Sequence, residues 1–159
     1  IINTAAADVT VAMNDDTDNP FIQAFRGRFH NMLRWEQLEH LWEVLRSDAE
    51  GGWYIYAVGE SPPPEPASGD LLRTFLSEIE QLLRREHGED YCGIVYADSP
   101  DTPQFVKIFD PNNLGVSCGF SDNPPLPGWI LSRLAPVELN ADMPLPGGRR
   151  RWWQRLLGS

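Results

Sequence analysis

The chain has little of what would tie it to a disulfide framework, a metal or a membrane. Its 159 residues include only two cysteines, Cys92 and Cys118. Two cysteines outside any Cys-x-x-Cys pair are too few for a disulfide scaffold and lack the spacing of zinc ligands. They read as buried free thiols, and a reducing cytoplasm is the expected compartment. No apolar run approaches the roughly 20 residues needed to cross a bilayer. The opening IINTAAADVTVAM lacks the basic and apolar regions of a signal peptide. Residues 1–12 therefore read as an upstream extension ahead of a native start at Met13.

Several chemistries are excluded in the same way. Phosphate loops place backbone N–H groups around a nucleotide, but neither G-x-x-x-x-G-K-[ST] nor G-x-G-x-x-G occurs. G-x-S-x-G, H-E-x-x-H and the zinc-deaminase pattern are also missing. The acidic stretch NDDTDN places Asn14, Asp16 and Asp18 like calcium ligands. The pattern then fails, with Asn19 at the glycine position and Phe25 at the bidentate glutamate position. Glu36, His40 and Glu43 share one helical face, but no second Glu-x-x-His set accompanies them, so a solvated face is expected. His87 falls in the last turn of a predicted helix, where an imidazolium suits the dipole. Cys92 follows that helix end, where the dipole opposes a thiolate, so it reads as packing and not as a nucleophile. No cofactor and no metal are expected, and an enzyme is the less favoured class.

What is present is a strong acidic bias. The formal net charge is -10, with 42% hydrophobic and 23% charged residues, which suits one globular domain. All 23 acidic residues precede position 149 along with nine of the 13 basic ones, so residues 1–148 carry -14 and the last eleven +4. A body this negative repels phosphate backbones, and no direct nucleic-acid binding is expected of it.

Residues 1–19 read as a flexible acidic segment, 20–139 as a single α+β domain, and 140–159 as a linker and basic aromatic tail. Asn19 before Pro20 opens a helix, along which Phe21, Phe25, Phe29, Met32 and Leu33 recur at helical spacing, with Gly27 weakening it. WEQLEHLWEVLRSD is amphipathic, with Trp35, Leu38, Leu41, Trp42 and Leu45 on one stripe. Trp53 to Val58 reads as an interior strand covered on both sides. The proline-rich SPPPEPASG is a surface loop. DLLRTFLSEIEQLLRREHG is a helix with Asp70 as its expected N-cap and Gly88 as its stop.

The runs YCGIVYAD, QFVKIFD and GVSCGF are joined by turn-rich linkers and predict a three-stranded meander. Cys92 and Cys118 would then sit on its outer strands, about 10 Å apart, too far for a disulfide. WILSRLAPVEL is a helical turn or short strand, with Trp129, Ile130 and Leu134 on the body. The expected fold is a four-stranded, mainly antiparallel sheet: one strand, a crossover helix and the meander, packed by two or three helices.

Two regions stand out as functional candidates. In the tail, Arg149, Arg150, Arg151 and Arg155 surround Trp152 and Trp153, with Leu156 and Leu157 behind. Arg and Trp are favoured anchors at protein interfaces. The tail is accordingly expected to contact a protein partner or mediate self-association, making the chain a non-catalytic interaction or accessory module. Weak peripheral membrane contact is a further role for it, as is folding back on the acidic face of Glu36, Glu39 and Glu43. The second region is a polar rim of Asp110, Asn112, Asn113, Asp122 and Asn123, which would serve a ligand-binding regulatory or enzymatic domain. A third reading, an acidic nucleic-acid mimic, requires carboxylates spaced like phosphates along one surface.

Overall fold

The computed structural model describes residues 19–87, 94–111, 126–139 and 155–156. The first helix, α1, runs over Pro20–Phe25. The side chain of Asn19 accepts hydrogen bonds from the N–H groups of Phe21 (2.8 Å) and Ile22 (3.3 Å), and Pro20 occupies the first turn, where its missing N–H costs nothing. The helix is shorter than its apolar spacing predicts. The chain leaves it at Arg26 and Gly27, and His30–Asn31 form a short strand, β1. Helical spacing continued through Phe29 and Met32, but glycine disfavours helix and the strand gains a sheet partner instead.

Helix α2 spans Trp35–Ser47 and buries Leu38, Leu41, Trp42 and Leu45. Strand β2 spans Tyr54–Ala57, and Gly59, at φ 102, turns the chain out of it. Helix α3 spans Gly69–Glu86 and buries Leu72, Phe75, Leu76, Ile79, Leu82 and Leu83. Its N-cap is Ser68, which accepts from the Leu71 N–H at 3.1 Å, and the expected cap Asp70 lies inside the first turn. Gly88, its expected stop, lies outside the described residues. Strands β3 (Val95–Ala97), β4 (Phe105–Ile108) and β5 (Trp129–Ser132) complete the sheet.

The fold is α+β, and the sheet has five strands, not four, in the order β1-β3-β4-β5-β2 with every neighbouring pair antiparallel. The fifth strand is β1, from the segment expected to continue the first helix. The third strand of the meander is also not the one expected. WILS takes the place beside β4, whose other side is occupied by β3. All four residues of WILS are buried; an apolar run with Trp and Ile suits a doubly covered strand better than a run broken by two glycines. Residues 115–120 and both cysteines lie outside the described residues. Leu134, expected on the body, is 36% exposed, because the chain turns out at Ser132, whose hydroxyl donates to the Leu134 carbonyl.

Strand β2 lies at one edge of the sheet, yet both its faces are covered. In one set of cross-strand rows, Ile55, Ala57, Val95, Ala97, Val106, Ile108, Trp129 and Leu131 face α2 and α3 and form the larger core with them. In the alternate rows, Tyr56, Phe105 and Ile130 face α1 and join Phe21, Ile22 and Leu139 in a second core. The Tyr56 hydroxyl accepts the Leu139 N–H at 3.0 Å, tying the segment after β5 to this second face. Burial of a large apolar side chain is worth about 1.5–3 kcal/mol, so these two cores outweigh the surface ion pairs, each worth about 0–1 kcal/mol.

Ser68→Ala should therefore cost about 1 kcal/mol in urea denaturation, the usual loss on removing an N-cap. Asp70→Ala should cost less, since it removes only a first-turn charge and a contact to Arg73; the reverse ranking would return the cap to Asp70.

Candidate functional site

Of the tail residues, Arg155 and Leu156 are described; Arg149, Arg150, Arg151, Trp152, Trp153 and Leu157 lie outside the described residues. Arg155 is exposed and helical, whereas Leu156 is 9% exposed and belongs to the larger core beside α2 and α3. At this point the tail packs on its own domain. Asp110 of the predicted polar rim is 2% exposed and lies against Gly128, where an added Cβ would come within 3.3 Å of the Asp110 Cβ. Asn112, Asn113, Asp122 and Asn123 lie outside the described residues, so no rim can be drawn from them.

The acidic face of α2 meets α3 in a shallow groove of about 430 Å³ lined by Glu36, Glu39, His40, Glu43, Arg46 and Glu80. Its carboxylates are interleaved with cations. Arg84 donates to Glu39 at 2.6 Å and to Glu80 at 3.2 Å while its guanidinium stacks 4.4 Å from the Trp35 ring. Arg46 bridges Glu43 and Glu80 at 3.6 and 3.8 Å. His40 pairs with Asp101 at 3.1 Å, away from a shared ligand position. Among the described residues no group of three His, Cys, Asp or Glu side chains is placed to hold a metal.

A second polar assembly joins α2 to β5. Arg133 pairs with Asp48, which also accepts from the Trp53 indole at 3.2 Å, and the guanidinium lies over the Trp53 ring. The Asp48 carboxylate, shared by Arg133 and Trp53, acts as a clasp between elements.

The most unusual group is Lys107, in the middle of the central strand β4. Strand alternation puts it on the second face of the sheet, in a row running Asn31, Tyr96, Lys107, Ile130, Tyr56. Its Nζ lies 4.1 Å from the Phe25 ring centroid and 4.0 Å from that of Phe29, under the end of α1 and the segment leading to β1. No carboxylate among the described residues forms an ion pair with it. Burial pushes its pKa down to about 8, while the two ring faces favour the ammonium. Beside it Tyr96 accepts from the Asn31 amide at 3.2 Å, and Asn31 Oδ1 is buried without a hydrogen-bond partner.

No protein-family model matches the chain, and no curated protein or solved structure is similar enough to match it.

Sequence reasoning passed over Lys107, although two signals pointed to it. It is the single lysine beside twelve arginines. In QFVKIFD, alternation puts it in phase with Phe105 and Phe109, on a face that an isolated charge would not ordinarily occupy.

Lys107 gives a pH dependence whose sign follows from its depressed pKa. Between about pH 8 and the ordinary lysine value of 10.5, the folded protein binds fewer protons than the unfolded chain, so this group's contribution to stability rises with pH. Tyr56 acts oppositely at higher pH, because burial, partly offset by the Leu139 N–H, raises its pKa and the unfolded chain loses that proton first. Lys107→Met should be more stable than wild type below pH 8, with the gap closing toward pH 10.5 in a series of urea midpoints. A gap independent of pH would show that burial does not govern this amine.

Proposed function

We propose that the chain is a non-catalytic interaction module that contacts a protein partner, or a second copy of itself, through its basic aromatic carboxyl-terminal segment. The observation that carries this reading is the pairing of a buried Leu156 with an exposed Arg155. Anchored through a leucine at this point, the segment presents the exposed Arg155 to a partner with less ordering cost than a free tail would. The same anchor revises the role of Leu156, which belongs to the domain's own packing and not to the contact surface.

Charge favours this assignment. A segment carrying +4 on a body carrying -14 suits an acidic protein surface, including that of another copy. The same body charge opposes an anionic membrane, where each basic residue contributes only about 1 kcal/mol. A nucleic-acid mimic gains less support, because the carboxylates between α2 and α3 alternate with Arg46 and Arg84 and do not form an uninterrupted row.

Two variants separate anchor from contact. Replacing Arg149, Arg150, Arg151 and Arg155 by serine should leave thermal stability nearly unchanged, as surface changes usually stay within about 0.5 kcal/mol. It should abolish both salt-sensitive self-association in sedimentation velocity and capture of partners in affinity purification. Retention of every such contact by this variant would end the reading. Leu156→Ala should instead cost about 2 kcal/mol of stability, in the range for a buried leucine; a neutral result would remove the anchor.

A further inference from the structure

Lys107 has the surroundings of a reactive amine. A lysine on a central strand ordinarily reaches solvent or a carboxylate, because an ammonium withdrawn from water without a counter-charge is costly. Here the half-buried amine instead lies against Phe25 and Phe29, at 4.1 and 4.0 Å, with no carboxylate pairing it among the described residues. Tyr96 stands directly across from it in register, a spacing that puts paired Cβ atoms about 4.5–5.5 Å apart. The Tyr96 oxygen already accepts from the Asn31 amide, leaving its own proton free to donate. An amine partly desolvated among apolar side chains is a setting in which lysines form imines.

We propose that Lys107 is a covalent capture site for a small uncharged aldehyde or ketone, with Tyr96 as the neighbouring proton donor. In the reaction, the neutral Nζ adds its lone pair to the carbonyl carbon and forms a C–N bond. The carbonyl electron pair moves to oxygen, which takes a proton from the Tyr96 hydroxyl. The nitrogen passes its extra proton back to the Tyr96 phenolate. The restored phenol then protonates the carbinolamine hydroxyl, which leaves as water while the nitrogen lone pair closes the C=N bond. The remaining N–H proton returns to the phenolate. Amine and carbonyl compound go in; imine and one water come out, with no oxidant or reductant. The two phenyl rings shield the imine from hydrolysis, and an uncharged compound avoids repulsion by the -14 body.

The charged or titratable groups on the elements that surround this amine are few. Tyr96 and Tyr56 share its row, and Arg26 and Arg28 flank the two phenylalanines in sequence. His30 lies in the neighbouring row, paired with Ala97, and so belongs to the other face. The depressed pKa of Lys107 agrees with the geometry.

The test uses the full chain with propanal, trapped by cyanoborohydride at pH 7.5 and located by peptide mass spectrometry. As Lys107 is the single lysine, an internal amine adduct has one address. Labelling of Lys107 in the folded protein should be at least about tenfold faster than in the same chain unfolded in guanidinium chloride, since an amine near pKa 8 is neutral far more often than one near 10.5. Lys107→Arg should keep the circular dichroism spectrum and lose the internal adduct. Tyr96→Phe should slow labelling severalfold without moving the pH at which the rate levels off, a split that simple loosening of the sheet would not give. Equal or slower labelling in the folded state would overturn the capture site. An unaltered rate in Tyr96→Phe would overturn the proton-donor role.

Discussion

The pairing register of β4 with β5 is the constraint on which the rest of this structure depends. Val106 opposite Leu131 and Ile108 opposite Trp129 point to the two long helices, while Lys107 opposite Ile130 points to the short one. A one-residue slip of β4 would send its lysine into the larger core, and a one-residue slip of β5 would take Trp129 out of it. The desolvation of an unpaired ammonium and the loss of apolar burial oppose these slips. The lysine that gives the second face its chemistry thus also helps specify how the sheet is assembled.

The two faces differ in what they ask of their coverings. The larger core is closed by α2 and α3, which are long, apolar on one side and linked at their outer edges by the Glu39, Arg84, Glu80 and Arg46 network. The second face is closed by six residues of helix, the chain after it and the segment tied down by Tyr56. Its cover is rich in phenylalanine: Phe21, Phe25 and Phe29 all lie against Phe105. A thin aromatic cover leaves a central-strand amine only half-buried, and this makes chemistry at Lys107 conceivable where the opposite face would forbid it.

Much of this was legible from residue patterns. Both long helices follow from their apolar stripes, and the strands around Tyr54, Val95 and Phe105 from β-branched and aromatic runs. What failed were choices between competing local signals. Helical spacing from Phe21 to Leu33 hid a two-residue strand because aromatic residues serve either structure, and Gly27 alone marked the break. GVSCGF reads as a strand by composition and lies outside the described residues, while WILS takes the place beside β4 and buries all four of its residues. Coverage of β2 on both faces suggested a central position, but burial of faces and position in strand order are separate properties. At the candidate sites, four rim residues and most of the tail lie outside the described residues, and the site that emerged was built on the residue type the chain uses only once.

The margins of the sheet have a consequence for how this molecule can associate. Strand β1 is two residues long, and just before β2 begins the Trp53 carbonyl accepts the Ala67 N–H from the proline-rich loop. Such blunted borders offer little backbone for a foreign strand to zip onto. At these described borders, association through side chains is favoured over strand addition, and a few residue changes can redirect it while the ladder of main-chain bonds stays as it is.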